Sequence, residues 1–202
     1  WDSLSHIFWK GKMYGGHSAG LVSSAGAARN GIENYAGKLV MRGVFLDVAR
    51  HLGVDALEPG HAISVEELEA TAAAQGVEIR TGDCLLIRTG FLEARRQAWG
   101  DYAGGASPGI SLHTAPWIHE KEIAAVASDT WGVEVRPNEV DCFQPFHVVA
   151  LVHMGLAIGE IFDFAELSET CARLDTYEFL FAAPALPITG ASGSPVAGVA
   201  VL

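Results

Sequence analysis

Asp2 and His6 stand near the start of the chain with three residues between them, and His147 and Glu160 lie far downstream in apolar company. His147 belongs to the run Phe146-His147-Val148-Val149-Ala150-Leu151, and Glu160 to Leu156-Ala157-Ile158-Gly159-Glu160-Ile161. An imidazole or a carboxylate among such neighbours is costly to bury unless it is paired or binds a cation. Carboxylate oxygen and imidazole nitrogen are also the donors that Zn²⁺ and Mn²⁺ accept in mixed sites. The two pairs therefore predict one metal site assembled from both ends of the fold. Taken singly, each residue has a plainer reading. Asp2 reads as a solvated carboxylate, His6 as a core or surface histidine beside Ile7 and Phe8, His147 as a structural histidine, and Glu160 as a surface residue at a strand end. His153, in the same segment, competes with His147.

Larger motifs accompany these residues. Asp2-x-x-x-His6 resembles the second half of the signature His-x-Gly-Thr-His-x-Asp-x-Pro-x-His, with Leu4 where that signature usually has proline. Arg42-Gly43-Val44-Phe45-Leu46-Asp47-Val48-Ala49, Gly82-Asp83-Cys84-Leu85-Leu86-Ile87-Arg88-Thr89-Gly90, Ser107-Pro108-Gly109-Ile110-Ser111 and Ala127-Ser128-Asp129-Thr130 follow in order. The tail carries Ala183-Pro184-Ala185-Leu186-Pro187-Ile188-Thr189-Gly190 and Gly193-Ser194-Pro195-Val196. In order and number these pieces resemble the cyclase family of metal-dependent hydrolases, which includes kynurenine formamidase and isatin hydrolase.

The resemblance implies a compact β/β/α sandwich, with a mixed sheet and flanking helices. It implies one domain over residues 1–202 that lacks its N-terminal segment, because the first half of the signature, with two histidine ligands, is not in this sequence. It implies a divalent metal, Zn or Mn, held by Asp2, His147 and Glu160, with His6 as the acid–base residue. The implied activity is hydrolysis of a C–N amide bond in an arylformamide, cyclic amide or similar small carbonyl substrate. A lactone hydrolase or cyclase, and a non-catalytic scaffold that kept the fold, are the alternatives. His147 is preferred to His153 because it follows Gln144-Pro145-Phe146, the family-like entry to this segment. Trp9, Tyr14 and Trp131, with Asp129, are expected to line the substrate pocket, and His17 is a further candidate from the opening loop. Asp2 lies one residue from the start, where chain ends fray, so the 202 residues alone are expected to bind metal weakly.

Composition narrows the class. The 202 residues suffice for one sizeable core, and half of them are hydrophobic, which excludes a disordered chain. A formal net charge of −11 opposes nucleic acid and anionic lipid alike. Cys84, Cys142 and Cys171 follow no ligand or redox spacing and read as reduced thiols of a cytoplasmic protein. Cys142 is a poor nucleophile candidate, since its neighbour Asp141 offers a negative charge rather than the positive one that activates a thiolate. There is no nucleophile elbow, P-loop or dinucleotide fingerprint, and no apolar run long enough to span a membrane. The expected partners are a small-molecule substrate and further copies of the chain, as a homo-oligomer.

The elements that must position these residues alternate, which indicates an α/β class. Strands are predicted at 39–48, 77–79, 84–88, 124–128, 157–161, 177–183 and 197–201. Ser64-Val65-Glu66-Glu67 is a capping box that opens a helix running to about Gln75, with Gly76 as its stop. Further helices are predicted at 111–122, with Pro116 near the first turn, and at 164–174 with Asp163 as cap. Residues 90–98 are helical or irregular and 32–36 a short helix or turn. The run 148–154 is too uniformly apolar for its period to be read. The Gly- and Ser-rich opening, including Gly15-Gly16-His17-Ser18-Ala19-Gly20, reads as a long loop.

Overall fold

The computed structural model describes residues 1–202. The opening holds a two-residue hairpin, β1 (Val22–Ser23) with β2 (Gly26–Ala27). There follow β3 (Val40–Asp47), α1 (Val48–His51), β4 (Ala62–Ile63), α2 (Val65–Ala74), β5 (Cys84–Arg88), α3 (Phe91–Arg95), β6 (Gly109–Ile110), α4 (Ala115–Glu120) and β7 (Ala125–Ser128). The last third carries α5 (Pro145–His147), continued by a wide π-helical stretch at Val148–Met154, then β8 (Ala157–Gly159), α6 (Ala165–Leu174), β9 (Glu178–Ala182) and β10 (Val199–Val201).

Six strands form the main sheet in the order β10-β9-β3-β5-β7-β8. β3, β5, β7 and β8 run parallel, and β9 and β10 add an antiparallel margin. The sheet is mixed and flanked by helices, as expected, and β4 with β6 forms a separate parallel ladder.

Strand alternation gives the sheet two apolar faces. Val44, Leu46, Leu85, Ile87, Val126 and Ile158 pack with Leu68 of α2, Ile118 of α4, Phe146 of α5 and Leu151. Phe45, Cys84, Leu86, Ala125, Ala127 and Ala157 face the other way, onto Phe164, Cys171, Phe179, Phe181 and Trp1. Each fully buried large aliphatic or aromatic side chain contributes roughly 1.5–3 kcal/mol of transfer free energy, so burial on both faces fixes the strand registers.

The carboxyl ends of the parallel strands collect the charged residues. Asp47 ends β3, Arg88 ends β5, Asp129 follows β7 and Glu160 follows β8. Arg88 Nη1 donates to Asp47 Oδ1 at 2.9 Å and its other nitrogens donate to Glu93 at 2.8 and 3.1 Å. Asp47 also accepts from the Arg50 backbone N–H at 3.1 Å and from the Ser168 hydroxyl. One buried carboxylate thereby ties β3, β5, α1 and α6 together. Asp129 accepts from Thr89 N, Thr89 Oγ1 and Gly90 N, each at 2.8 Å. Gly90 is required there, because its φ is +76° and a Cβ would stand 2.1 Å from the Asp55 carbonyl.

Three expectations change. Residues 77–79 form no strand; the Glu78 carbonyl accepts from the Arg42 guanidinium at 2.9 Å instead of from a ladder. The 111–122 helix is split, with a 3₁₀ turn at Leu112–Thr114 before α4, and Pro116 lies in the first turn of α4. The opening loop is punctuated by short 3₁₀ turns and the hairpin. Asp163 does support α6, where its Oδ1 accepts from Ala165 N at 3.2 Å.

Candidate metal centre

Asp2 is held in place by its own backbone and its neighbours. Its N–H donates to the Ile158 carbonyl of β8 at 2.9 Å. Ser3 N donates to Ser192 O at 3.0 Å, and Ser194 N donates to Trp1 O at 2.9 Å. The Trp1 indole N–H donates to Ala183 O at 2.7 Å, and its ring meets Phe162 edge-on at 5.5 Å. The expectation that Asp2 frays is therefore corrected: segment 1–3 lies between the margin of β8 and residues 192–194. A turn follows, in which His6 N donates to Ser3 O at 3.0 Å and the Ser3 and Ser5 hydroxyls meet at 2.6 Å. The turn brings His6 back beside Asp2, with Nδ1 3.9 Å from Oδ1.

His147 closes α5, whose first residue is Pro145, a favoured opening for a helix. Its side chain is wholly buried. Nδ1 lies 2.6 Å from Glu134 Oε1, and Nε2 points to Glu160 Oε1 at 3.0 Å and Asp2 Oδ2 at 3.5 Å. Glu160 comes from the carboxyl end of β8, the region where α/β sheets bind ligands. One donor atom from each of Asp2, His147 and Glu160 fits within a 4.8 Å span. His6 lies just outside this group, its ring centroid 6.4 Å from that of His147.

The group forms a buried acidic pocket around the His147 imidazole. Burial lowers the pKa of His147, but the adjoining carboxylates of Asp2, Glu134 and Glu160 outweigh it and hold the imidazole well above its ordinary value. Burial raises Glu160, the His147 hydrogen bond draws it down, and the Asp2 charge raises it again; the net shift is upward. Asp2 Oδ2 is buried and has no hydrogen-bond donor. Such an orphaned oxygen is costly unless something positive completes it. Two carboxylates and one imidazole, one oxygen of them unsatisfied, fit a divalent cation with mixed N/O preference.

The centre borders a cleft of about 770 Å³ lined by Trp1, Asp2, His6, Glu160, Phe162 and the Ser192–Gly193–Ser194 segment, among others. The aromatic residues expected to bind substrate lie elsewhere. Trp9 is exposed with Lys10 over its ring, and Tyr14 is exposed and covers Gly155. Trp131 packs on the Phe91–Leu92–Tyr102 cluster, beneath the Arg136 guanidinium at 5.2 Å. Asp129 is buried in backbone contacts, and His17 and His153 are exposed. The aromatic residues that border this cleft are Trp1, itself largely buried, and Phe162, neither of them named from the sequence as a site residue. Glu134 was also missed. Its signal was a lone carboxylate in Val133-Glu134-Val135, the same pattern that drew attention to Glu160.

A family model described as "Putative cyclase" matches residues 1–135. A crystal structure described as a novel cyclase is 36% identical, with a TM-score of 0.90, over 100% of this chain and 68% of that one. The chain belongs to the cyclase family. Among more distant structures sharing the fold, isatin hydrolase A from Ralstonia solanacearum is 18% identical with a TM-score of 0.69, over 98% of this chain and 68% of that one. Isatin hydrolase A from Labrenzia aggregata, bound to benzyl benzoate, is 17% identical with a TM-score of 0.69, over 99% of this chain and 72% of that one. No match was found among curated proteins. No helix of this cyclase-family chain is long and apolar enough to cross a membrane.

Proposed function

We propose that this cyclase-family chain is a metal-dependent hydrolase of a C–N amide bond in a small carbonyl compound, an arylformamide or cyclic amide. The observation that carries the reading is the convergence of Asp2, His147 and Glu160, with the buried Asp2 Oδ2 left without a hydrogen bond while the nearest nitrogen, His147 Nε2, bonds Glu160. Those three residues, with the two histidines that the family signature places before Asp2, would hold the ion, Zn²⁺ or Mn²⁺. A divalent cation supplies Lewis acidity, activating water near neutral pH and polarising a carbonyl.

The chain's own groups account for the rest. His6 faces the cleft with its ring 38% exposed, close enough to Asp2 to be oriented by it. Imidazole takes and gives protons near neutrality, so His6 would accept a proton from the attacking water and deliver it to the leaving nitrogen. Trp1 and Phe162 form an apolar wall suited to a flat substrate and to limiting water. The isatin hydrolases that share this fold support the choice of a cyclic amide. Three free cysteines support a reducing, cytoplasmic setting. The reading includes a homo-oligomer, which sedimentation velocity would test.

The test is turnover of N-formylkynurenine, isatin and simple lactones by metal-loaded and chelator-treated protein. Amide hydrolysis that needs the metal supports the proposal. Turnover of lactones alone would move the activity to C–O bonds, and no turnover of any of them would favour a scaffold.

A further inference from the structure

We infer that Glu134 is a positioning residue for the metal centre, fixing His147 so that Nε2 is its only outward donor. The inference rests on the metal-site reading above. Glu134 is 2% exposed. Its Oε1 accepts from the His147 backbone N–H at 3.0 Å and lies 2.6 Å from His147 Nδ1, and its Oε2 accepts from Phe146 N at 2.8 Å. One carboxylate therefore grips both the first turn of α5 and the ring that α5 carries. A carboxylate can only accept, so Nδ1 must carry the proton and Nε2 is left facing Asp2 and Glu160.

The backbone is bent to aim this group. Val133, immediately before it, is wholly buried with φ at +53°. That region is unfavourable for a β-branched residue and persists only where surrounding structure enforces it. Gly109 permits the bend, because a Cβ there would stand 2.3 Å from the Glu134 carbonyl carbon. The strain and the close approach both serve to deliver one carboxylate to Nδ1.

The experiment is calorimetric titration of metal-stripped wild type, Glu134→Gln and Glu134→Ala with Zn²⁺, together with absorption spectra of the Co²⁺-loaded forms. Glutamine can keep an oxygen at the Nδ1 position but lacks the charge, so it should weaken Zn²⁺ binding about tenfold; alanine should weaken it up to about 100-fold. Both should alter the Co²⁺ ligand-field bands, a change that loss of stability alone does not produce. Circular dichroism identifies any variant that fails to fold, and Glu134→Gln decides if alanine does not fold. Wild-type affinity and unchanged spectra in folded Glu134→Gln would overturn the inference while leaving the metal site standing. No Zn²⁺ binding by wild type would overturn the site itself, and this inference with it.

Discussion

His147 and His153 sit six residues apart in one apolar segment, and their surroundings give them opposite fates. His147 is enclosed by Asp2, Glu134 and Glu160, whereas His153 is exposed. His147→Ala should strip metal from the protein and His153→Ala should not, measured by elemental analysis after dialysis; equal occupancy in the two variants would remove His147 from the site. His6 borders the cleft outside the three-ligand group. His6→Ala should therefore keep its metal but lose roughly 10²–10⁴-fold in turnover, and loss of metal instead would make His6 a ligand. His147 and Glu160 drew attention as polar residues in apolar runs, whereas Asp2 did so only through the Asp2-x-x-x-His6 half-signature. Trp9, Tyr14 and Trp131 do not line the cleft beside Asp2 and Glu160, because an aromatic side chain's type says nothing about the direction it faces.

The elements were legible where local chemistry dictates them. Ser64 accepts from Glu67 N at 3.3 Å and Glu67 returns a bond to Ser64 N at 2.9 Å, forming the capping box read from the sequence. Ser64→Ala should cost about 1 kcal/mol in urea unfolding and leave metal binding unchanged; a changed metal affinity would mean that α2 is coupled to the site. Other elements depend on long-range partners that no local pattern announces. Residues 77–79 look like a strand but lack one to pair with. Asp47 reads as an ordinary strand-end carboxylate, yet it is the shared partner of Arg88, Arg50 and Ser168. Asp47→Ala would leave Arg88, with a side chain 9% exposed, paired only to Glu93. The expected loss is about 3–5 kcal/mol, the usual result of removing one partner from a buried ion pair. A loss below about 1 kcal/mol would show that the cluster is well solvated.

For the molecule as a whole, the metal centre couples stability to pH. In the metal-free protein, burial lowers the pKa of His147, but Asp2, Glu134 and Glu160 raise it to a value well above ordinary. The resulting stabilisation is complete below about pH 6.5, where the unfolded imidazole is also protonated. It is lost as pH rises through the folded value. The upward shift of Glu160 acts in the same direction. Tm of the metal-free protein should therefore fall as pH rises above neutrality, measured by scanning calorimetry, and a rising Tm would contradict the assignment of charges. A cation competes with the His147 proton, so metal affinity should increase over the same range. Asp2 is anchored between β8 and residues 192–194, so weak metal binding by these 202 residues would trace to the signature's first histidine pair rather than to a loose chain start. The most direct test of the central claim is Zn²⁺ titration by calorimetry of the metal-stripped chain beside its Asp2→Ala and Glu160→Ala variants at one pH. We expect saturable binding at one site in the wild type, abolished or greatly weakened in both variants. Absence of binding in the wild type, or binding of equal strength in all three proteins, would contradict it.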